Sequence, residues 1–206
     1  MSKKGIFISF EGPEASGKSS QLKLLAKYFH LNKIPYVVTR EPGGTTNAEK
    51  LRKIILSKNE LVTPTEEILL LMAARLNHIN KVIKPALKAG KIVISDRFAD
   101  STFVYQGFVN NYGMQKTISL HRKFLDNFLP KKTFLFILSP QKINSRLQKR
   151  KKTNKYDKTN VSFHKKILSG YKKLSRNDKR FILIDAKLHT LDIHNIIVKI
   201  ILKLRK

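Results

Sequence analysis

"EGPEASGKSS", residues 11–20, is the stretch on which the reading of the chain turns. From Gly12 it runs Gly-Pro-Glu-Ala-Ser-Gly-Lys-Ser and fits the phosphate-loop pattern G-x-x-x-x-G-K-[ST] without a mismatch. Alone the pattern is weak, because glycine is common enough for it to arise by chance. Its setting strengthens it: the apolar run Ile6-Phe7-Ile8-Ser9-Phe10 precedes it and the amphipathic run Gln21-Leu22-Lys23-Leu24-Leu25 follows, so the loop joins a strand to a helix. Gly12 and Gly17 let the backbone aim successive N–H groups inward, and the helix start adds partial positive charge for phosphate oxygens. Lys18 is placed to reach the β and γ phosphates of a nucleoside triphosphate, and Ser19 to offer its hydroxyl to Mg²⁺. Pro13, Glu14, Ala15 and Ser16 complete the loop and Ser20 follows it; none of them is a cation.

Working outward, five short apolar runs read as strands: Gly5 to Phe10, Tyr36 to Thr39, Lys91 to Ser95, Thr133 to Leu138 and Arg180 to Ile184. They are near-continuous in Ile, Val, Phe and Leu, the pattern of strands buried on both faces of a parallel sheet. Helical stretches alternate with them: Lys18 to Leu31, Ala48 to Ser57, Gln115 to Phe128, Gln141 to Arg150, Phe163 to Leu174 and Leu191 to Leu204. Another starts at Thr63-Pro64-Thr65-Glu66, a capping-box signal with proline at the first helical position, and ends at Gly90, with a kink expected near Pro85. The alternation predicts an α/β class: a three-layer phosphate-loop NTPase fold, a five-stranded parallel sheet flanked by helices, over residues 1–206 as one domain. Residues 146–158, "RLQKRKKTNKYDK", are basic and without apolar periodicity, and read as a short lid.

Composition narrows the class. Cysteine is absent, which removes disulfides and thiolate metal sites, and the six histidines show no ligand spacing; His78 reads as a helix-surface or boundary residue like the rest. Apolar runs are too short for a membrane span and the N-terminus does not read as a secretory signal, so a cytoplasmic enzyme is expected. Forty-two Lys and Arg against 14 Asp and Glu give a net charge of +28. Such a surplus suits a nucleic-acid surface or a solvated lysine-rich one; the lysines spread along the whole chain, which favours the second and no specific nucleic acid. Asn154-Lys155-Tyr156-Asp157 looks like a guanine-reading motif, but no apolar strand precedes it and D-x-x-G is missing from the chain.

"FEGPEASGKSSQ", "TREPGGT" (39–45), "AEKLRKIIL" (48–56), "LMAARLNHI" (71–79), "VIKPALKAGKIVISDRF" (82–98) and "DSTFVYQG" (100–107) occur in the order and spacing of bacterial thymidylate kinases, and the chain resembles that family over nearly its whole length. The resemblance implies transfer of the γ-phosphoryl group of ATP to dTMP with Mg²⁺, in a homodimer packed through helices. It implies that Arg97 grips the acceptor phosphate, that Arg52 assists there, and that Arg75 meets the thymine edge. Ser101, Thr102 and Gln106 match positions that approach the base, and Glu41 and Pro42 lie in the loop beside the substrate; Tyr105 suits that role or the core. Asp96 and Glu11 end neighbouring predicted strands, so both could orient Mg²⁺, its waters or the substrate 3′-hydroxyl. Leu71 stands where many bacterial relatives carry a stacking phenylalanine. Because the phosphate loop holds no cation besides Lys18, the transferring group needs one from elsewhere; Arg150 in the lid is the expected arginine finger, with Arg146 and neighbouring lysines as alternatives. A kinase for a different nucleoside monophosphate, or a nucleic-acid-binding ATPase, are the rival readings.

Overall fold

All five apolar runs form strands, and all pair in parallel. The computed structural model of the chain describes residues 4–57, 62–149 and 160–205. Strands β1 (Ile6–Glu11), β2 (Tyr36–Arg40), β3 (Ile92–Asp96), β4 (Lys132–Ile137) and β5 (Phe181–Asp185) make one sheet in the order β2-β3-β1-β4-β5. Central β1 is buried along its length, whereas edge strands β2 and β5 are mostly half-buried or exposed, and Leu183 of β5 is 63 % exposed. The expectation of burial on both faces therefore holds for the centre of the sheet and fails at its rims, where each edge strand has a neighbour on one side only.

Alternation along β1 divides the core into two layers. Ile6, Ile8 and Phe10 face helices α1 (Lys18–Leu31) and α9 (Thr190–Arg205), packing with Leu22, Leu25, Phe29, Ile193, Ile197 and Ile201. Phe7 faces the other layer, with Ile68 and Met72 of α3 (Pro64–His78) and Ile167 and Tyr171 of α8 (Val161–Ser175). Around this frame lie α2 (Thr46–Leu56), α4 (Lys84–Lys88), α5 (Ala99–Thr102), α6 (Met114–Leu125) and α7 (Pro140–Gln148). Among the described residues, no helix is long and apolar enough to cross a membrane.

The capping box at Thr63 is formed: its hydroxyl accepts the Glu66 N–H at 3.2 Å while the Glu66 carboxylate accepts the Thr63 N–H at 2.6 Å. The kink expected near Pro85 is taken up one turn earlier, where residues Ile79–Ile83 widen into a π-helical turn between α3 and α4. Proline lacks the N–H that would bond to Lys81, and its ring displaces that carbonyl, so the preceding turn opens.

One helical segment has no counterpart in the sequence reading. Residues Ala99–Thr102 are α-helical and Phe103–Val109 continue as a π-helix. No side chain caps the start, and Phe103, Val104, Tyr105, Gln106, Gly107 and Val109 are all buried. A helix with all but Ser101 and Phe108 buried carries little amphipathic period for a sequence to display.

Candidate active site

Everything of chemical interest gathers at the C-terminal edge of the sheet, where open parallel sheets bind their ligands. Gly12 takes φ +130°, and a Cβ there would sit 2.5 Å from the Phe136 carbonyl oxygen, so only glycine lets the chain turn off β1 at this point. Ala15 and Gly17 also have positive φ, and Ser16 ties the loop by donating to the Pro13 carbonyl at 2.8 Å. Gly17 leads into α1, whose N-terminus no side chain caps and whose first turn holds no acid. That end is electrostatically suited to an anion.

Lys18 arches over the loop, its ammonium donating to the Gly12 and Pro13 carbonyls at 3.0 and 2.7 Å. Burial, and then the charge of Arg97, pull its pKa down to about 8 against the opposing carboxylates of Asp96, Glu14 and Glu11. The Ser19 hydroxyl donates to Asp96 Oδ2 at 3.2 Å. Glu14, Ala15, Ser16, Gly17, Lys18, Ser19 and Ser20 line one cavity, together with Arg146, which donates to the Ala15 carbonyl at 3.0 Å. Gly12 and Pro13 shape the loop without lining that cavity.

A second cavity opens beside it, walled by Glu41, Pro42, Arg52, Leu71, Arg75, Arg97, Ser101, Thr102, Tyr105 and Gln106. Glu14, Arg52, Asp96 and Arg97 line both, so the two cavities share one wall of two cations and two carboxylates. Arg97 follows β3 with φ +67°, an uncommon conformation for a side-chain-bearing residue, and is pinned there by two bonds. Its N–H donates to the Phe10 carbonyl at 2.9 Å and its carbonyl accepts from Ser95 Oγ at 2.6 Å. Its guanidinium donates to Ser101 Oγ at 3.0 Å and Glu14 Oε1 at 2.8 Å, and lies 5.0 Å from the centroid of the Tyr105 ring. Tyr105 in turn donates to Glu14 at 2.9 Å, so it belongs to the cavity wall as well as the core.

Arg75 is 2 % exposed and its fork is fixed on two sides, by Glu41 Oε2 at 2.7 Å and Thr102 Oγ1 at 2.8 Å, with the Phe98 ring below. The second Glu41 oxygen meets His78 Nδ1 at 2.9 Å, and His78 Nε2 meets Thr39 Oγ1 at 2.7 Å. Burial would raise the Glu41 pKa, but Arg75 and His78 together hold it below the ordinary value. His78 is fully buried in this chain of bonds and is not the surface or boundary residue expected of it. The signal in the sequence is its position three residues after Arg75, on the same helical face. Arg52 donates to the Pro42 carbonyl at 2.6 Å, and Gln106 Nε2 donates to Glu67 Oε1 at 2.9 Å. Nothing in the sequence singles out Glu67.

The expectation for Glu11 changes. Glu11 lines neither cavity and is fully buried, with Oε1 accepting the Phe98 N–H and Oε2 the Ser101 and Tyr171 hydroxyls. The register explains this: Phe10, not Glu11, lies beside Asp96, so the two carboxyl groups leave opposite faces of the sheet. Arg150 lies outside the described residues, as does most of the lid expected at 146–158.

A phosphate loop sharing a wall with a second, arginine-lined cavity defines a nucleotide-binding phosphotransferase of the phosphate-loop class. The family model described as "Thymidylate kinase" matches residues 10–197. The chain is 42 % identical over 198 residues to the thymidylate kinase of Rickettsia typhi (strain ATCC VR-144 / Wilmington), covering 95 % of this chain and 97 % of that protein. It is 37 % identical over 201 residues to that of Thermoanaerobacter sp. (strain X514), covering 97 % and 98 %. The chain belongs to the thymidylate kinase family.

The Lys18 environment gives a pH prediction. A lysine whose pKa is lowered to about 8 is charged at pH 7 and loses its proton as pH rises through 8. If only the charged form binds ATP, affinity measured by calorimetry should fall roughly tenfold between pH 7.5 and 9, with Lys18→Ala weak and flat across that range. A flat wild-type profile would show that Lys18 does not hold the phosphates through its charge.

Proposed function

We propose that the protein transfers the γ-phosphoryl group of ATP to dTMP, yielding ADP and dTDP, as one cytoplasmic phosphate-loop kinase domain over residues 1–206. The observation that carries this reading is the wall of Glu14, Arg52, Asp96 and Arg97 shared by the two cavities. Phosphoryl transfer needs donor and acceptor oxygens held close and in line with developing charge neutralised, and little else. The acceptor phosphate is already an anion, so no strong base is required.

In this reading the phosphate-loop N–H groups and the helix end hold the donor, and Lys18 exchanges its loop carbonyls for the β and γ phosphates. Arg97 and Arg52 hold the acceptor phosphate; Leu71 covers the base without ring stacking, and Arg75, Thr102 and Gln106 meet its edge. Mg²⁺ fits the chemistry of Ser19 and Asp96, a hydroxyl and a carboxylate 3.2 Å apart. Among the described residues no group of three or more acidic or histidine side chains is placed to hold a metal, which suits an ion that keeps its waters and binds largely through substrate phosphates. When bound it would neutralise charge on the β and γ oxygens.

An ADP-release assay over dTMP, dCMP, dGMP and AMP tests the assignment. Turnover with dTMP should exceed the others at least ~100-fold, since a site built to pair a base edge rejects one that leaves its polar groups unpaired. Equal turnover across the panel, or none with dTMP, would sink it.

The finger is assigned to Arg150, with Arg146 as the alternative favoured by its bond to the Ala15 carbonyl. Arg150→Ala should lower kcat at least ~30-fold with little change in KM for dTMP, the mark of a contact made in the transition state. A kcat within about threefold of wild type, with the loss shown by Arg146→Ala instead, would move the role to Arg146.

The reading includes a homodimer. Leu69, Ala73 and Leu76 of α3 are exposed at i, i+4 and i+7, forming one apolar stripe that a second copy would cover. Sedimentation should give twice the chain mass of 23.7 kDa, and Leu76→Glu should return the monomer. A monomeric wild type would refute the dimer.

A further inference from the structure

Among the described residues expected at the reacting centre, Glu11 lines neither cavity, and its surroundings are unusually complete. Its two carboxylate oxygens receive three donors from two segments. Oε1 accepts the Phe98 N–H at 2.7 Å, and Oε2 accepts the Ser101 hydroxyl at 2.6 Å and the Tyr171 hydroxyl at 2.8 Å. Two of these donors belong to the turn that carries Arg97. Phe98 is the next residue in the chain, so its N–H belongs to the peptide that Arg97 itself forms. Ser101 is the residue whose oxygen accepts from Arg97 Nη1 at 3.0 Å. A relay of donated protons therefore runs from the guanidinium to Ser101 and from Ser101 to the Glu11 carboxylate.

We propose that Glu11 is the positioning residue for Arg97: it fixes the left-handed turn at Arg97 through the Phe98 N–H and aims the guanidinium into the shared wall through Ser101. The inference rests on the reading of Arg97 as the grip on the acceptor phosphate. The need for such a clamp is visible in the backbone, because Arg97 has φ +67° without the freedom of glycine. Burial, and then the neighbouring Asp100, push the Glu11 pKa up to about 7 against Arg97 and the Ser101 and Tyr171 hydroxyls; in the ionised form three donors meet one charged acceptor, and such bonds exceed neutral ones. Tyr171, from α8, supplies the third donor and shields the group from water. Glu11 itself does not line either cavity, so its effect reaches substrate only through Arg97.

The test separates the phosphate from the rest of the nucleotide. Binding of dTMP, thymidine and ATP is measured by calorimetry on the whole protein, for wild type, Glu11→Ala and Glu11→Gln, with thermal melts to establish folding. Glu11→Ala should weaken dTMP at least ~10-fold, because small misplacement of a gripping group is costly, while thymidine and ATP stay within about threefold. Glu11→Gln keeps an oxygen for the Phe98 N–H and should show the same pattern with a smaller loss; it carries the test if the alanine variant does not fold. Equal weakening of dTMP and thymidine would make Glu11 a general support of the cleft and overturn the proposal, as would a loss confined to ATP or no loss at all. If wild type bound dTMP no better than thymidine, the acceptor reading and the Glu11 role would fall together. Discrimination retained in both variants would overturn the Glu11 role alone.

Discussion

The pairing of β1 with β3 governs the rest of the molecule. Phe10 beside Asp96 brings the residues that follow each strand, Gly12 to Lys18 and Arg97 to Ser101, to the same edge of the sheet. Two loops from distant parts of the chain are thereby held side by side by main-chain hydrogen bonds, which do not depend on side-chain identity. A shift of the register by one residue would turn Asp96 to the opposite face and leave Ser19 without its partner. Burial specifies this register, because Ile92 and Ile94 must share a layer with Ile6, Ile8 and Phe10.

On that frame the site is assembled from charges that would be unfavourable alone. Glu41 and Arg75 are at most 5 % exposed and compensate each other, and the buried His78 ring gives Glu41 a further hydrogen bond. Taking one partner from such a group leaves a buried charge unmatched, at about 3–5 kcal/mol, whereas the complete group is close to neutral for stability. Its use is rigidity: Arg75 reaches the cavity with two of its nitrogens already committed. Glu14 acts similarly across the shared wall, receiving both Arg97 and Tyr105. The phosphate loop thus contributes a carboxylate that orients the neighbouring arginine as well as main chain for an anion.

How much of this is legible follows from what each feature writes into local sequence. The strands are visible because a short apolar run bounded by turn residues suits a buried strand and little else, and the boundaries err by one residue where Glu11, Arg40, Asp96 and Asp185 extend strands with a polar terminus. The phosphate loop is legible because its backbone demands glycine at fixed places. The segment 99–109 is not, since a buried helix without a cap offers neither period nor start signal. The direction of Glu11 is also hidden: it depends on which residue of β1 lies beside Asp96, and pairing register between strands far apart in the chain is not a local property. The role of Glu67, and that of His78 beyond its spacing from Arg75, escape a sequence reading for a related reason, because each is defined by a partner from another element.

The half-covered rim of the sheet has a consequence for the protein among its own copies. Among the described residues no strand lies beyond β5, which presents Leu183 and one row of main-chain groups, the kind of border that recruits foreign strands into aggregates. Lys179 stands just before the strand and Lys187 just after it, while Arg180 between them is already paired with Asp100 and Asp178. Any second copy approaching edge to edge brings the same groups and the same net charge of +28. Mutual repulsion then does for colloidal stability what a covering helix would do elsewhere, and because salt screens it over about 8–10 Å, that protection weakens as ionic strength rises.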